Sequence, residues 1–214
     1  MIDQHLTETA SPDETVRARE AEILGKPPRI LPLRPEEFSP EARQITDALH
    51  QAVGLPPNAP VPDFIATMLR YPLLHRVHTE LALVLMSQGA LSDRDRELAV
   101  LRVGWLCQAP YEWNSHVNVA KRLAGLTTDE IERVTIGSTA PEWSEADRTL
   151  LRAVEEMLED SLISEKTWTA LAERLTEQQL LELPVLVGQY LGVAYLQNSM
   201  RATLMPGQIG LAAR

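Results

Sequence analysis

Three titratable residues, Glu97, Glu112 and His116, have the types and spacing from which acid–base chemistry is built. Glu112 and His116 are four residues apart, so on a helix they lie on one face and can address the same small volume. Glu97 shares its helix face with Leu101 in a stretch that is apolar nearly all round. A carboxylate in such a stretch is paired or has a perturbed pKa, because an isolated buried charge is unfavourable.

Two consecutive helices position these residues. Ser92 has the character of a helix N-cap, and Asp95, three residues later, resembles the second member of a capping box. Pro110 ends the first helix and suits the first position of the next. Glu112 then falls in the first turn of the second helix. The positive end of that helix favours an ionised Glu112 and, more weakly, a neutral His116 imidazole able to act as a base.

Each of the three residues also has a purely structural interpretation. Glu112 could satisfy free N–H groups in the first helical turn. His116 could be a hydrogen-bonded histidine of the core. Glu97 could form a salt bridge with Arg94 or with an arginine of a neighbouring subunit. The catalytic interpretation depends on all three groups occurring together at the right spacing.

Two other features have weaker functional interpretations. His75 and His78 could bind a metal by their spacing, but without a further ligand pattern such as HExxH a solvated or packing role is favoured. Cys107 is the only cysteine, which excludes an internal disulfide and is consistent with a reducing cytoplasm. A buried structural thiol is favoured over a nucleophile, and we expect no metal site.

Composition excludes several classes of function. The net charge is −10 over 214 residues and the 20 basic residues are scattered, whereas a nucleic-acid-binding face needs clustered Lys and Arg. The N-terminal segment is polar and acidic, so we expect no secretory signal. No run of about 18 apolar residues is present, so we expect no membrane span. The chain is predicted to be cytoplasmic, with neither nucleic acid nor membrane as a partner.

The pattern of apolar residues predicts an all-α protein. Residues 1–35 are predicted to form an N-terminal arm, with a short charged helix followed by a proline-rich, extended segment. Residues 36–214 are predicted to form one all-helical domain, because no segment shows the bounded alternation of a strand. The predicted helices are 12–25, 40–53, 61–70, 72–88, 92–108, 110–125, 127–135, 144–160, 164–175 and 176–200.

The order RELAVLRV, YEWxxH, an alanine and then GL resembles the carboxymuconolactone decarboxylase family, which also contains the AhpD-type alkylhydroperoxidases. Glu97, Tyr111-Glu112-Trp113, His116, Ala120 and Gly125-Leu126 carry this resemblance. It extends over roughly residues 31–204 and is closest to the longer subgroup of the family. The resemblance implies an AhpD-like helical bundle.

The resemblance also implies which branch of the family applies. In the peroxidase branch a histidine follows the glutamate by nineteen residues, as His116 follows Glu97 here. The two cysteines of the Cys-x-x-Cys motif in that branch correspond to Ala109 and Glu112. The redox dithiol is therefore missing, and the sequence is similar to the decarboxylase-type branch, in which Glu and His are the acid/base candidates.

If the family reaction holds, a carboxylated lactone or a related small organic acid loses CO2 and its carbon framework gains a proton. That reaction needs no metal or organic cofactor. We predict that His116 transfers the proton, that Glu112 orients or tunes it, and that Glu97 is a second acid/base or relay group. Trp113, Leu101 and Tyr111 are predicted to line the substrate pocket.

The resemblance further implies a homo-oligomer, a trimer or a hexamer, and the long apolar segment 180–196 favours burial between subunits. Two alternatives stay open. One is a thiol peroxidase that uses Cys107 with an external thiol, although no resolving cysteine is present. The other is a non-catalytic oligomeric protein that binds a small molecule.

Overall fold

The fold is entirely helical over the residues that the computed structural model describes, which are 12–52, 54–56 and 59–214. These residues contain no strand, so the all-α prediction is confirmed. The first eleven residues of the predicted arm lie outside the described residues. The α-helices are α1 Pro12–Ile23, α2 Pro40–Ala52, α3 Asp63–Met68, α4 Pro72–Ser87, α5 Asp93–Leu106, α6 Pro110–Val119, α7 Thr128–Ile136, α8 Glu145–Asp160, α9 Glu165–Ala172 and α10 Glu177–Met200.

Helix boundaries follow local capping chemistry. At the N-cap of five helices a Ser or Thr oxygen accepts a hydrogen bond from the backbone N–H three residues later, which satisfies a donor that has no partner within the helix. These N-caps are Ser92, Thr127, Ser144, Ser164 and Thr176. The predicted boundaries therefore agree with the structure to within a few residues.

The helix predicted over residues 110–125 is not uniform. It is α-helical over Pro110–Val119, and Ala120–Ala124 forms a π-helical turn. Gly125 ends this turn with φ of 65°. This left-handed conformation favours glycine, which has no Cβ to clash with the backbone.

The core is built around α5. This helix packs against α10, α8 and α6, and every residue from Asp95 to Gly104 is buried. A helix that is apolar nearly all round needs neighbours on all sides. Because α5 is surrounded by other helices, the carboxylate of Glu97 on this helix lies deep inside the molecule.

By length and hydropathy alone, α10 could cross a membrane. In the fold it is a core helix, with Leu183, Leu186 and Ala194 buried and α5 as its main neighbour. Core helices of folded bundles meet the same criteria, so this is weak evidence for a membrane span. The cytoplasmic location and the absence of nucleic-acid and membrane partners stay predictions.

The described part of the N-terminal arm packs against the C-terminal segment of the same chain. The backbone N–H of Leu211 donates to the Glu20 carboxylate over 2.6 Å, and the N–H of Arg29 donates to the carbonyl of Met200 over 3.0 Å. Arg201 and Glu22 form an ion pair at 3.1 Å. The division into an arm of residues 1–35 and a domain of residues 36–214 stays a prediction.

Candidate active site

A hydrogen-bonded chain of three side chains joins α5 to α6. His116 Nδ1 lies 2.8 Å from Glu97 Oε2, and His116 Nε2 lies 3.2 Å from Glu112 Oε1. Both carboxylates and the imidazole are buried, and the Glu97 side chain is 0% exposed. The structure thus brings together all three predicted catalytic residues, and we refer to Glu97–His116–Glu112 as the proton relay.

The geometry of the relay sets how many protons it holds. Because each imidazole nitrogen faces a carboxylate oxygen, each of the two hydrogen bonds needs one proton. Arg96 Nε also donates to Glu97 Oε1 over 3.2 Å. With His116 protonated, the buried set contains two cations and two carboxylates, which reduces the cost of burying each charge.

Arg96 is therefore the arginine that contacts Glu97, where the sequence offered Arg94 as one possible partner. Arg94 instead pairs with Asp147 at 3.0 Å and Glu130 at 2.6 Å. Neighbouring positions on a helix point in different directions, and only the packing of α5 decides which arginine turns toward the carboxylate.

The environment of His116 favours the protonated ring. Burial by itself lowers the pKa of His116, but the hydrogen bonds and negative charges of Glu112 and Glu97 outweigh burial and raise the pKa to about 9. The expectation of a neutral imidazole was therefore wrong. That expectation was based on the positive end of α6 alone. The helix end carries only a partial charge, and two carboxylates in direct contact with the ring have the larger effect on its pKa.

Residues of α10 complete the surroundings of the relay. Gln197 Nε2 donates to Glu112 Oε2 over 2.7 Å, and within the described residues Gln197 Oε1 has no hydrogen-bond partner. The edge of the Tyr190 ring meets His116 with the ring centroids 4.9 Å apart. Burial, with the charges of Glu112 and Glu97, raises the pKa of Tyr190. Tyr190 is therefore a neutral packing partner of the relay at physiological pH.

The relay ends at a cavity of about 660 Å³ between α2, α3, α4, α6 and α10. Glu112, His116 and Tyr111 line it, and Glu97 lies behind them. Side chains of α2 and α3 form what we call the apolar wall: Ile45, Ala48, Leu49, Phe64, Ile65 and Met68. A mostly apolar cavity with a few convergent polar groups is typical of a small-molecule site.

Leu101 and Trp113, which the sequence analysis assigned to the pocket wall, lie instead in the hydrophobic core. Both side chains are 0% exposed. The indole N–H of Trp113 donates to the carbonyl of Ala213 over 2.9 Å, and its ring packs against Trp105 at 5.0 Å between centroids. Trp113 therefore fastens the C-terminal segment to α6. Its position between Glu112 and His116 in the sequence places it on a different face of the helix.

Helix α4 adds to the cavity lining polar groups that the sequence did not assign to the site. Burial lowers the pKa of both His75 and His78, so both rings are neutral at pH 7. Gln189 Nε2 lies 3.3 Å from His78 Nε2. Arg76 also lines the cavity. In the sequence, the spacing of His75 and His78 indicated only that they share one face of a helix. The placement of α4 in the fold turns that face toward the cavity.

Among the described residues, no group of three His, Cys, Asp or Glu side chains is arranged to hold a metal ion.

Arg102 donates hydrogen bonds to the carbonyls of Val134 and Thr135 and forms an ion pair with Glu155. This arginine lines a separate cavity of about 720 Å³, together with Cys107. Burial raises the pKa of the Cys107 thiol to about 11, against a smaller opposing effect of Arg19. The thiol is therefore protonated at neutral pH, which makes it a poor nucleophile.

The fold and the site define the class of protein: an all-α bundle with a buried Glu–His–Glu chain beside an apolar cavity. Residues 72–156 match the Carboxymuconolactone decarboxylase family. This segment, which contains all three residues of the relay, belongs to that family, and the resemblance seen in the sequence is confirmed over these residues. The assignment to a longer subgroup without Cys-x-x-Cys stays a prediction.

Solved structures share the fold at low sequence identity. An uncharacterised peroxidase-related protein from Silicibacter sp. TM1040 is 15% identical, with a TM-score of 0.70 over 86% of this chain and 96% of that one. An uncharacterised peroxidase-related protein from Ralstonia eutropha JMP134, described as an alkylhydroperoxidase AhpD core, is 16% identical, with a TM-score of 0.68 over 83% and 93%.

The debrominase Bmp8 in complex with 2,3,4-tribromopyrrole is 14% identical, with a TM-score of 0.66 over 83% of this chain and 92% of that one. No curated protein matches the sequence. At these identities the solved structures establish the AhpD-like fold alone.

Proposed function

We propose that this protein is a cofactor-independent acid–base enzyme that acts on a small organic acid, with loss of CO2 from a carboxylated lactone as its reaction. The observation that carries the proposal is the buried proton relay, whose Glu112 end faces an apolar cavity of about 660 Å³. Three hydrogen-bonded titratable groups at the wall of a mostly apolar cavity are suited to moving a proton to or from a bound carbon acid.

In this mechanism the bond between the carboxylate carbon and the lactone breaks and CO2 leaves. The electron pair of the broken bond stays on the lactone and delocalises into its conjugated system. The carbon framework then takes a proton. Because both nitrogens of His116 are already hydrogen-bonded, we place Glu112 at the point of delivery. The Nε2 proton of the protonated His116 moves to the Glu112 carboxylate, and Glu112 passes it to the carbon. Glu97 holds the ring through Nδ1, and one solvent proton restores the relay.

Arg76 is the residue that we propose to hold the substrate carboxylate. It lines the same cavity as Glu112, and its guanidinium lies 3.8 Å from Glu80, in an exposed and loose ion pair. Such a pair contributes little and leaves the cation free to bind a substrate anion. The buried Arg102, by contrast, is occupied by its own chain.

The test supplies the purified protein with carboxylated lactones and related unsaturated acids and measures CO2 release against substrate loss. We expect stoichiometric release that depends on Glu112. Crystals soaked with the same compounds should show density beside Glu112 and His116. If the compounds bind there but no CO2 is released from any of them, the protein is a binding protein and the proposed reaction is wrong.

The peroxidase alternative yields a prediction for Cys107. Cys107→Ala should leave turnover within about twofold of wild type, because the thiol lines a different cavity from the relay. The free energy of unfolding should change by about 1 kcal/mol or less for so small a volume change. The check is a hydroperoxide assay with a dithiol reductant. Robust wild-type turnover that disappears in Cys107→Ala would move the protein to the redox branch.

We also propose that the chain forms a homo-oligomer, a trimer or a hexamer. One stripe of α4 exposes Leu73, Val77, Leu81 and Val84, with between 39% and 54% of each residue accessible. A contiguous apolar stripe of this kind is typical of a protein–protein contact surface. A second copy of the chain would cover it.

Sedimentation at micromolar concentration should therefore give a multiple of 23.9 kDa. Val77→Asp should shift the protein toward the monomer, because the contact would bury an unpaired carboxylate. Glu165→Gln, on the exposed start of α9, is the control. A wild type that sediments only as a 24 kDa species would contradict the proposal.

A further inference from the structure

We infer that the substrate of this site is a compound with one compact polar head and an apolar body, carrying no more than one negative charge. The inference rests on the proposed function only for the identity of the site. It narrows the substrate class from small organic acids in general to amphiphilic monoacids. Three features of the cavity lead to it.

The first feature is a set of hydrogen-bonding groups on α6 and α10. Glu112 and His116 stand beside Gln197, which is 3% exposed and whose Oε1 has no partner among the described residues. A buried carbonyl oxygen without a partner is unfavourable, and a ligand O–H or N–H would satisfy it. The polar head should therefore offer a donor as well as acceptors, as a hydroxyl group or a carboxyl group that has taken up a proton does.

The second feature is the apolar wall. Its six side chains come from α2 and α3, which pack on α4, whereas the relay comes from α5 and α6. Within the described lining, α2 and α3 contribute no charged side chain. The cavity volume of about 660 Å³ lies in the range of sites that hold drug-sized ligands. The wall can therefore cover a hydrocarbon body larger than a lactone ring.

The third feature is the charge of the lining. Its charged side chains are Arg76, Glu80, Glu112 and the protonated His116, two of each sign. His116 is already engaged by Glu97 and Glu112, which leaves Arg76 to balance one substrate carboxylate. A second carboxylate would lie against the apolar wall, where an unpaired charge is strongly disfavoured.

Binding of simple probes tests the inference without any turnover. The probes are n-alkanoates from butanoate to decanoate, and the dicarboxylates of the same chain lengths, titrated into the full-length protein by calorimetry. We expect affinity for alkanoates to rise by about fourfold per added CH2 until the cavity is filled. Dicarboxylates should bind at least roughly tenfold more weakly than alkanoates of equal length.

A variant of the apolar wall locates the effect. Ala48→Trp should reduce the affinity for decanoate to that for a shorter alkanoate and leave butanoate unchanged, because the indole takes up cavity volume beside the apolar wall. Leu162→Trp, at a residue 69% exposed and outside the cavity lining, is the matched control. If Ala48→Trp misfolds, Ile45→Asn should flatten the dependence on chain length.

An affinity that does not depend on chain length, equal binding of dicarboxylates, or wild-type behaviour of folded Ala48→Trp and Ile45→Asn would each overturn the inference. The outcome is separable from that of the proposed reaction. A clear chain-length series without CO2 release would leave the substrate class standing and remove the decarboxylase proposal. CO2 release without such a series would do the reverse.

Discussion

Glu112→Gln is expected to lower turnover by roughly 10²–10⁴-fold, the usual contribution of a positioned proton-transfer group, while the fold is retained. Glutamine keeps the volume of the side chain. Its one oxygen can still accept a hydrogen bond from His116, and its NH2 group can donate to Gln197 once the Gln197 amide turns its oxygen toward it. An amide cannot deliver a proton at neutral pH, so the loss should appear in the rate and leave the structure intact. Turnover per folded molecule, on the substrate identified by CO2 release, is the measurement.

Two further variants separate the parts of the relay. Glu97→Gln should also reduce turnover, because an amide still fills its buried position but weakens the hold on the imidazolium. His116→Ala removes the relay and should cost roughly 10²–10⁴-fold. Glu165→Gln, which makes the same chemical change on the surface of α9, is the control and should retain the wild-type rate. Wild-type rates in all three relay variants would end the catalytic interpretation.

Stability should fall as pH rises from about 6.5 to about 9, because the pKa of His116 is about 9 in the folded protein and 6.5 in the unfolded chain. Below 6.5 both states hold the proton and the stabilisation is fully present. Between the two values only the folded state holds it, so each step upward in pH favours unfolding. At about 1.4 kcal/mol per pKa unit, the free energy of unfolding should fall by on the order of 3 kcal/mol across this pH range.

Urea unfolding at pH 6, 7.5 and 9 measures this effect, with His116→Gln as the reference. The variant should show little of the decline, since it has no group to titrate at that position. The lowered pKa values of His75 and His78 act below this window, and the raised pKa of Cys107 acts above it. Parallel curves for the wild type and His116→Gln would show that the relay does not hold the imidazole protonated.

Local sequence determined the helices and the faces of the two that carry the relay. The N-caps Ser92 and Thr176 and the break at Pro110 act through the nearest backbone groups, and such short-range physics can be predicted from a few neighbouring residues. The i, i+4 spacing of Glu112 and His116 placed them on one face for the same reason. The link from His116 to Glu97 came from a family pattern of spacing.

Tertiary structure alone decided the chemistry that these residues face. Helical periodicity fixes a side chain relative to its own axis but does not say which helix lies opposite. Only the packed bundle places Gln197 against Glu112, turns His78 toward the same cavity and buries Trp113 in the core. The protonation of His116 was decided in the same way, because a pKa depends on the charges within a few ångströms, and packing brings one of those charges from a different helix.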